Sequence, residues 1–450
     1  MSYNGINRFN FPQGQLNSPL VTGSPQGSQP PVFPYQLYTG SPAGPEPSAG
    51  LNSGMPWDID LSAPTLSENP GTLFPSWSLW PTPYNPLLED ESQQSPQQAG
   101  RKPGETALVE IGVEKDGNAD EHAQSVQEVF ERHNPNAESQ LTGIDTGNVQ
   151  GANTESLLKN SNVINTQEKL DTAIDAGSTD AFRLFSDKID AIVIDGSASV
   201  INGSLGYSRN EIYRDTLNRL KANPYLAKHL DLKPEDITGL ESDEKNRTVI
   251  TEKVSTAIVS YVDQRLDAPD SEFQKARQHY QNTTRNAAEK GVVVVVAAGN
   301  QHKLNGTFEK DTLGGDTNFL AQSNSVISVA ASDNQDTENL ADDTIADFSS
   351  RGDGEFNPTI ATDGVGIETE FGKQNGTSFA APKVAATIAR LQQENPQFNF
   401  HRIKEQLKST AVNTEALELA EGAGILDTST LLASPPESFN TGNAALFSMA

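Results

Sequence analysis

Five consecutive valines, Val292–Val296, followed by Ala297, Ala298 and Gly299, set the tightest limit on what this chain can fold into. A run with no polar side to turn to water reads as a strand buried on both faces. Such strands belong to parallel sheets with helices above and below. The flanking sequence agrees. TALVEIGV (106–113) reads as a strand ending at Gly112, and EHAQSVQEVFERH (121–133) carries Val126, Val129 and Phe130 at helical spacing. DAIVIDG (190–196), ASVINGSL (198–205) and SNSVISVAAS (323–332) read as further strands; NAAEKG (286–291) reads as a helix end; PKVAATIARLQQENP (382–396) and HRIKEQLKSTAV (401–412) read as helices. The expected fold is α/β: a mainly parallel β-sheet with helices on both faces, in three layers.

The chain divides into three parts. Residues 1–100 hold 17 of the 27 prolines and one basic residue, Arg8, a composition that cannot bury enough apolar surface to offset ordering entropy. This segment is expected to be disordered. All three tryptophans, Trp57, Trp77 and Trp80, lie in it, which suits a short docking segment. Residues 101–430 form the folded domain, with a charged helical insertion at about 207–287 whose helices are expected at NEIYRDTLNRLKAN (210–223) and EKVSTAIVSYVDQRL (252–266). Residues 431–450 read as a loose tail.

A formal net charge of −28 argues against nucleic acid and anionic membrane surfaces as partners. There is no cysteine, and therefore no disulfide, thiolate nucleophile or cysteine metal site. No run of apolar residues is long enough to span a membrane. MSYNGINRFNFPQGQ lacks a basic start and an apolar core, so a Sec-type signal is not expected.

Ser378 opens the helical run SFAAPKVAATIARL directly after Asn375-Gly376-Thr377. A hydroxyl there meets the free N–H groups and positive end of a helix, which favour negative charge. Taken alone, a serine before a helix is a cap. Its surroundings say more. Gly376, Thr377, Ser378, Ala380, Pro382, Val384 and Ala385 resemble, position by position, the nucleophile motif Gly-Thr-Ser-x-Ala-x-Pro-x-Val-Ala of subtilisin-like serine proteases (subtilases, peptidase S8). VVVVVAAGNQ resembles the family's strand carrying the oxyanion-hole asparagine, here Asn300, and VINGSLG the strand lining its substrate cleft. SVISVAASD, ADFSSRGD and IATDGVGI follow in the family's order, so the resemblance covers about residues 104–420.

The resemblance implies a serine endopeptidase acting through an acid–His–Ser triad and an acyl-enzyme. Of six histidines, His122 begins a helix after the first strand, as the family requires of its general base. HAQSVQEV stands where the family has His-Gly-Thr-His-Val-Ala: His122 and Val126 match, whereas Ala123, Gln124, Ser125 and Gln127 do not. Glu110, followed by Gly112, takes the place of the orienting aspartate, with Asp116 in the next loop as the rival. Asp195 comes after His122 and breaks the family's order. Substrate is expected along Ser204, Leu205 and Gly206 and along Ala298 and Gly299. No cofactor is required. Structural calcium is common in the family, but no cluster here has EF-hand spacing and no ligand is assigned. The expected partner is a polypeptide substrate, with a secretion chaperone or docking partner for the N-terminal segment. A bacterial protein exported by a non-Sec route is expected, with a cytoplasmic one as the alternative. Two other readings compete: a catalytically impaired binding module, motivated by the departures around Glu110 and His122, and a protease restricted to one host or partner protein, with the insertion as docking surface or lid.

Overall fold

The computed structural model describes residues 102–113, 117–144, 166–241, 252–302, 315–335, 337–414 and 416–433. Segment 1–100, Asp116, part of the insertion (242–251) and the tail after 433 lie outside the described residues. In chain order the elements are β1 (Thr106–Glu110), α1 (Glu121–His133), β2 (Ser139–Gly143), α2 (Gln167–Asp195), β3 (Val200–Gly203), α3 (Arg209–Ala222), α4 (Pro234–Thr238), α5 (Glu252–Leu266), α6 (Glu272–Glu289), β4 (Val293–Ala297), β5 (Ile327–Asp333), β6 (Thr344–Ile345), β7 (Ile360–Asp363), β8 (Ile367–Thr369), β9 (Gly372–Gln374), α7 (Thr377–Glu394), α8 (Phe400–Thr410), α9 (Glu418–Glu421) and α10 (Thr428–Ala433).

Six strands run parallel in the order β2-β1-β3-β4-β5-β7, and β6 adds a short antiparallel pairing at the end of β5. The valine strand sits in the middle and explains the layering. Val292, Val294 and Val296 face one core, built with α2 and the insertion helices. Val293 and Val295 face the other, built with α7, α8 and Phe130 of α1. All five are fully buried, each contributing about 1.5–3 kcal/mol on burial. The α/β sandwich expected from this run is the fold observed.

One expected strand is corrected. DAIVIDG is the last part of the long helix α2. Ile189, Ile192 and Val193 are buried, while Ile194 is 78% exposed. That is a helical stripe, which a strand buried on both faces could not produce. Gly196, at φ 70°, ends the helix by donating its N–H to Ile192 O. The polar edge strand β2 carries no apolar run and was not expected from the sequence.

The insertion is a packed layer. Tyr213, Leu217, Leu220, Val254, Ile258 and Val262 join the core beneath α2. Arg209 meets Asp263 at 2.8 Å within it, and Arg265 Nε donates to Asp175 on α2 at 2.7 Å. Its last helix, α6, is the crossover that delivers the chain to β4.

Ladder pairs Val109–Gly203 and Gly203–Val296 bring the carboxyl ends of β1, β3 and β4 to one level. Glu110 stands at that edge as the last residue of β1, and Ser204 and Ala298 come just past the ends of β3 and β4. Open parallel sheets place their ligand clefts at this edge.

Candidate active site

Glu110 is the last residue of β1 and 1% exposed. The chain turns back at once. Gly112 O accepts from Asp120 N at 2.8 Å, and a Cβ on Gly112 would stand 2.1 Å from the Asp120 carboxyl carbon. Asp120 caps α1 by accepting from Ala123 N at 2.9 Å. This tight return sets His122 in the first turn of α1, with Nδ1 3.4 Å from Glu110 Oε2. Glu110 Oε1 accepts from Ser204 N at 3.2 Å. Burial pushes the Glu110 pKa above the usual carboxylate value, partly offset by His122 and the Ser204 amide. Burial alone would lower that of His122, but the Glu110 carboxylate outweighs it and holds the imidazole above its ordinary value. Asp116, the rival acid, lies outside the described residues.

Ser378 is the second residue of α7. Its neighbour Phe379 packs against His122, ring centroids 5.5 Å apart, so the imidazole stands beside the first turn of α7. With Nδ1 given to Glu110, Nε2 is the nitrogen left for a second partner. The hydrogen bond of Ser378 Oγ goes to Ser204 O, at 3.2 Å. Pro382 lies inside α7 and has no N–H to give the carbonyl four residues back, that of Ser378. Ser204 Oγ fills the vacancy, donating to Ser378 O at 2.8 Å, while Asn202 Nδ2 donates to Ser204 Oγ at 3.0 Å. One residue, Ser204, thus touches both Glu110 and Ser378.

Asn300 follows β4. Its Oδ1 accepts from Thr377 N at 2.9 Å and Thr377 Oγ1 at 3.0 Å. A backbone N–H can only donate, so the carbonyl end of the amide faces Thr377 and the NH₂ end is turned away from it. Thr377, buried at the head of α7, thereby orients Asn300 beside Ser378. The hydroxyl, the imidazole, the carboxylate and the amide come from α7, α1, β1 and the loop after β4.

Residues 139–424 match the model described as the subtilase family. The chain belongs to the subtilase family. The match begins after Glu110 and His122, so the placing of those two in this subtilase rests on the geometry above. Serine protease AprX of Bacillus subtilis (strain 168) is 34% identical over 144 residues, covering 26% of this chain and 30% of that protein. Subtilisin Savinase of Lederbergia lenta is 27% identical over 152 residues, covering 33% of this chain and 48% of that protein. The subtilase thus aligns with under half the length of either relative. Among solved structures, an epidermin leader peptide processing serine protease from Staphylococcus aureus is similar with a TM-score of 0.39 and 17% identity, over 75% of this chain and 76% of that one.

The remaining positions expected from the sequence flank the subtilase site. Ser204, Leu205 and Gly206 continue from β3, and Ala298 and Gly299 continue from β4. Ser204 is occupied within the site, as described. Among the described residues no group of three or more His, Asp and Glu side chains is gathered closely enough to hold a metal ion. Among them, too, no helix is long and apolar enough to cross a membrane. Sequence reasoning missed Thr377 as the anchor of Asn300 and Ser204 as the link to Glu110. Pro382 signals a different contact of Ser204, its hydroxyl bond to Ser378 O: a Pro inside a helix announces a carbonyl that needs another donor.

Proposed function

We propose that this subtilase is a serine endopeptidase in which Ser378 is the nucleophile, His122 the general base and Glu110 the residue that orients His122. The observation that carries the reading is the Glu110–His122 pair set beside the serine at the head of α7. In the step proposed, Ser378 Oγ turns from Ser204 O to His122 Nε2, gives up its proton there and bonds to the substrate carbonyl carbon. The oxyanion is held by the Ser378 N–H, one of the first amides of α7 that have no partner within the helix, and by the NH₂ of Asn300. Collapse breaks the C–N bond; the proton on Nε2 passes to the leaving amine, and a water molecule then releases the acyl group by the same route. The substrate is a polypeptide lying extended along Ser204–Gly206 and Ala298–Gly299. Segment 1–100 is where a secretion chaperone or docking partner would engage, on its composition alone.

The hydrogen bond from Ser378 to Ser204 O, rather than to the imidazole, motivates the other reading, a binding module. A fluorophosphonate probe separates the two. Labelling of the native chain, lost in Ser378→Ala, supports the enzyme; a native chain that resists labelling while staying folded leaves the binding module.

A further inference from the structure

Asn300 is held at both ends. Thr377 takes the carbonyl end of its side chain, and a separate set of contacts takes its backbone. Asn300 N donates to Oε1 of the next side chain, Gln301, at 2.8 Å. A backbone N–H only donates, so the oxygen of the Gln301 amide faces inward. Ser350 Oγ donates to the same oxygen at 3.4 Å and accepts from Gln301 N at 3.1 Å. Ser350 N donates to Gly299 O at 2.9 Å, and His302 N donates to Phe348 O at 3.2 Å. The turn Phe348–Ser350 is rooted on β5, where Ala331 N donates to Ser349 Oγ at 3.0 Å. Ser350 and Gln301 are both buried. The packing between them leaves no room: Gly299, at φ 113°, could carry no side chain, since a Cβ there would stand 2.8 Å from both Gln301 Oε1 and Ser350 Oγ.

We propose that Gln301 is a positioning residue for the proteolytic reaction, with Ser350 as its support. It acts through Asn300 and not on the substrate. Gln301 fixes the backbone from which the Asn300 amide hangs. It thereby fixes where the Asn300 NH₂ stands when Ser378 bonds to the substrate carbonyl and the oxyanion forms. A donor stabilises that charge to the extent that it already stands where the charge develops. A misplacement of about 1 Å can cost two orders of magnitude in rate. Anchored by Thr377 alone, the asparagine could move with its loop; the Gln301 contact removes that freedom. The proposal rests on the protease reading, and the experiment keeps the two apart.

The test is a double-mutant cycle between Gln301 and Asn300, read on one peptide anilide. Titration with the fluorophosphonate counts competent sites in each preparation, so that kcat is given per site. Gln301→Met keeps the length of the side chain and removes the acceptor. Its kcat is expected to fall about tenfold, with KM changed by less than about twofold. In the Asn300→Ala chain the same substitution is expected to change kcat by less than about twofold, because no amide is left to place. A merely structural residue would instead lower the titrated fraction at unchanged kcat. If the native chain neither labels nor turns over, the protease reading fails. If the native chain is active but Gln301→Met keeps its kcat, or loses the same factor with and without Asn300, the proposal fails while the reading stands. Should Gln301→Met not fold, Ser350→Ala takes its place. A loss of about threefold in kcat that disappears in Asn300→Ala then supports the proposal. A native kcat, or the same loss in both backgrounds, overturns it.

Discussion

Glu110 and His122, twelve residues apart in the chain, meet with Oε2 and Nδ1 3.4 Å apart because the loop between them turns back tightly enough for Asp120 to donate to Gly112 O. A glutamate on the end of β1 reaches the imidazole that the family's shorter aspartate would serve. Glu110→Gln keeps that reach and removes the charge. The expected result is a kcat/KM about 10³–10⁴ lower with little change in melting temperature, the loss that follows when the base is left without its oriented tautomer. Glu110→Asp restores the charge but draws it back by one methylene, and an intermediate rate is expected. Steady-state kinetics on one peptide substrate check both; a Gln variant as fast as the native chain would remove Glu110 from the mechanism.

The same pair predicts a pH profile. The base works only when neutral, and Glu110 holds His122 above the ordinary histidine value of about 6.5. Activity is lost as pH falls through the raised value, so the acid limb of kcat/KM is expected above pH 6.5. In Glu110→Gln the raising partner is gone and the limb moves to lower pH. A limb at or below 6.5 in the native chain contradicts the assignment.

Asn300 has its carbonyl end tied to Thr377 and its NH₂ end free of that bond. Asn300→Ala is expected to lower kcat by about 10²–10³ with KM nearly constant, a magnitude taken over from the corresponding donor in subtilisin. Thr377→Val, which keeps the backbone N–H but drops the hydroxyl, is expected to cost less, since one of the two bonds to Oδ1 survives. Equal losses in KM and kcat for Asn300→Ala would point to substrate binding instead.

Pro382 and Ser204 are coupled through the Ser378 carbonyl. Ser204→Ala leaves that half-buried acceptor without its side-chain donor and is expected to destabilise the chain by about 1 kcal/mol. Pro382→Ala supplies a helical N–H to the same carbonyl, so the double variant should recover part of the loss. Denaturant unfolding of the four chains gives the coupling energy; simple additivity would mean that the two groups do not compete for Ser378 O.

How much of this was legible beforehand differs from residue to residue. The run Val292–Val296 is buried on both faces wherever it is placed, so the central strand and the layered fold follow from it. Ser378 and Asn300 sit in motifs long enough to be found by reading along the chain. DAIVIDG was misread because seven residues of mixed apolar pattern suit a strand as well as a helix end, and the choice belonged to the core beneath α2.

By itself the sequence determined the α/β class, the position of the serine at a helix mouth and the asparagine after the valine strand, because each is a local pattern of residue types. Only the tertiary structure decided that Glu110 reaches His122 and that Ser204 links both ends of the site. Those contacts join residues from separate strands and helices, and a hydrogen bond depends on distances of a few ångströms that spacing along a chain does not encode.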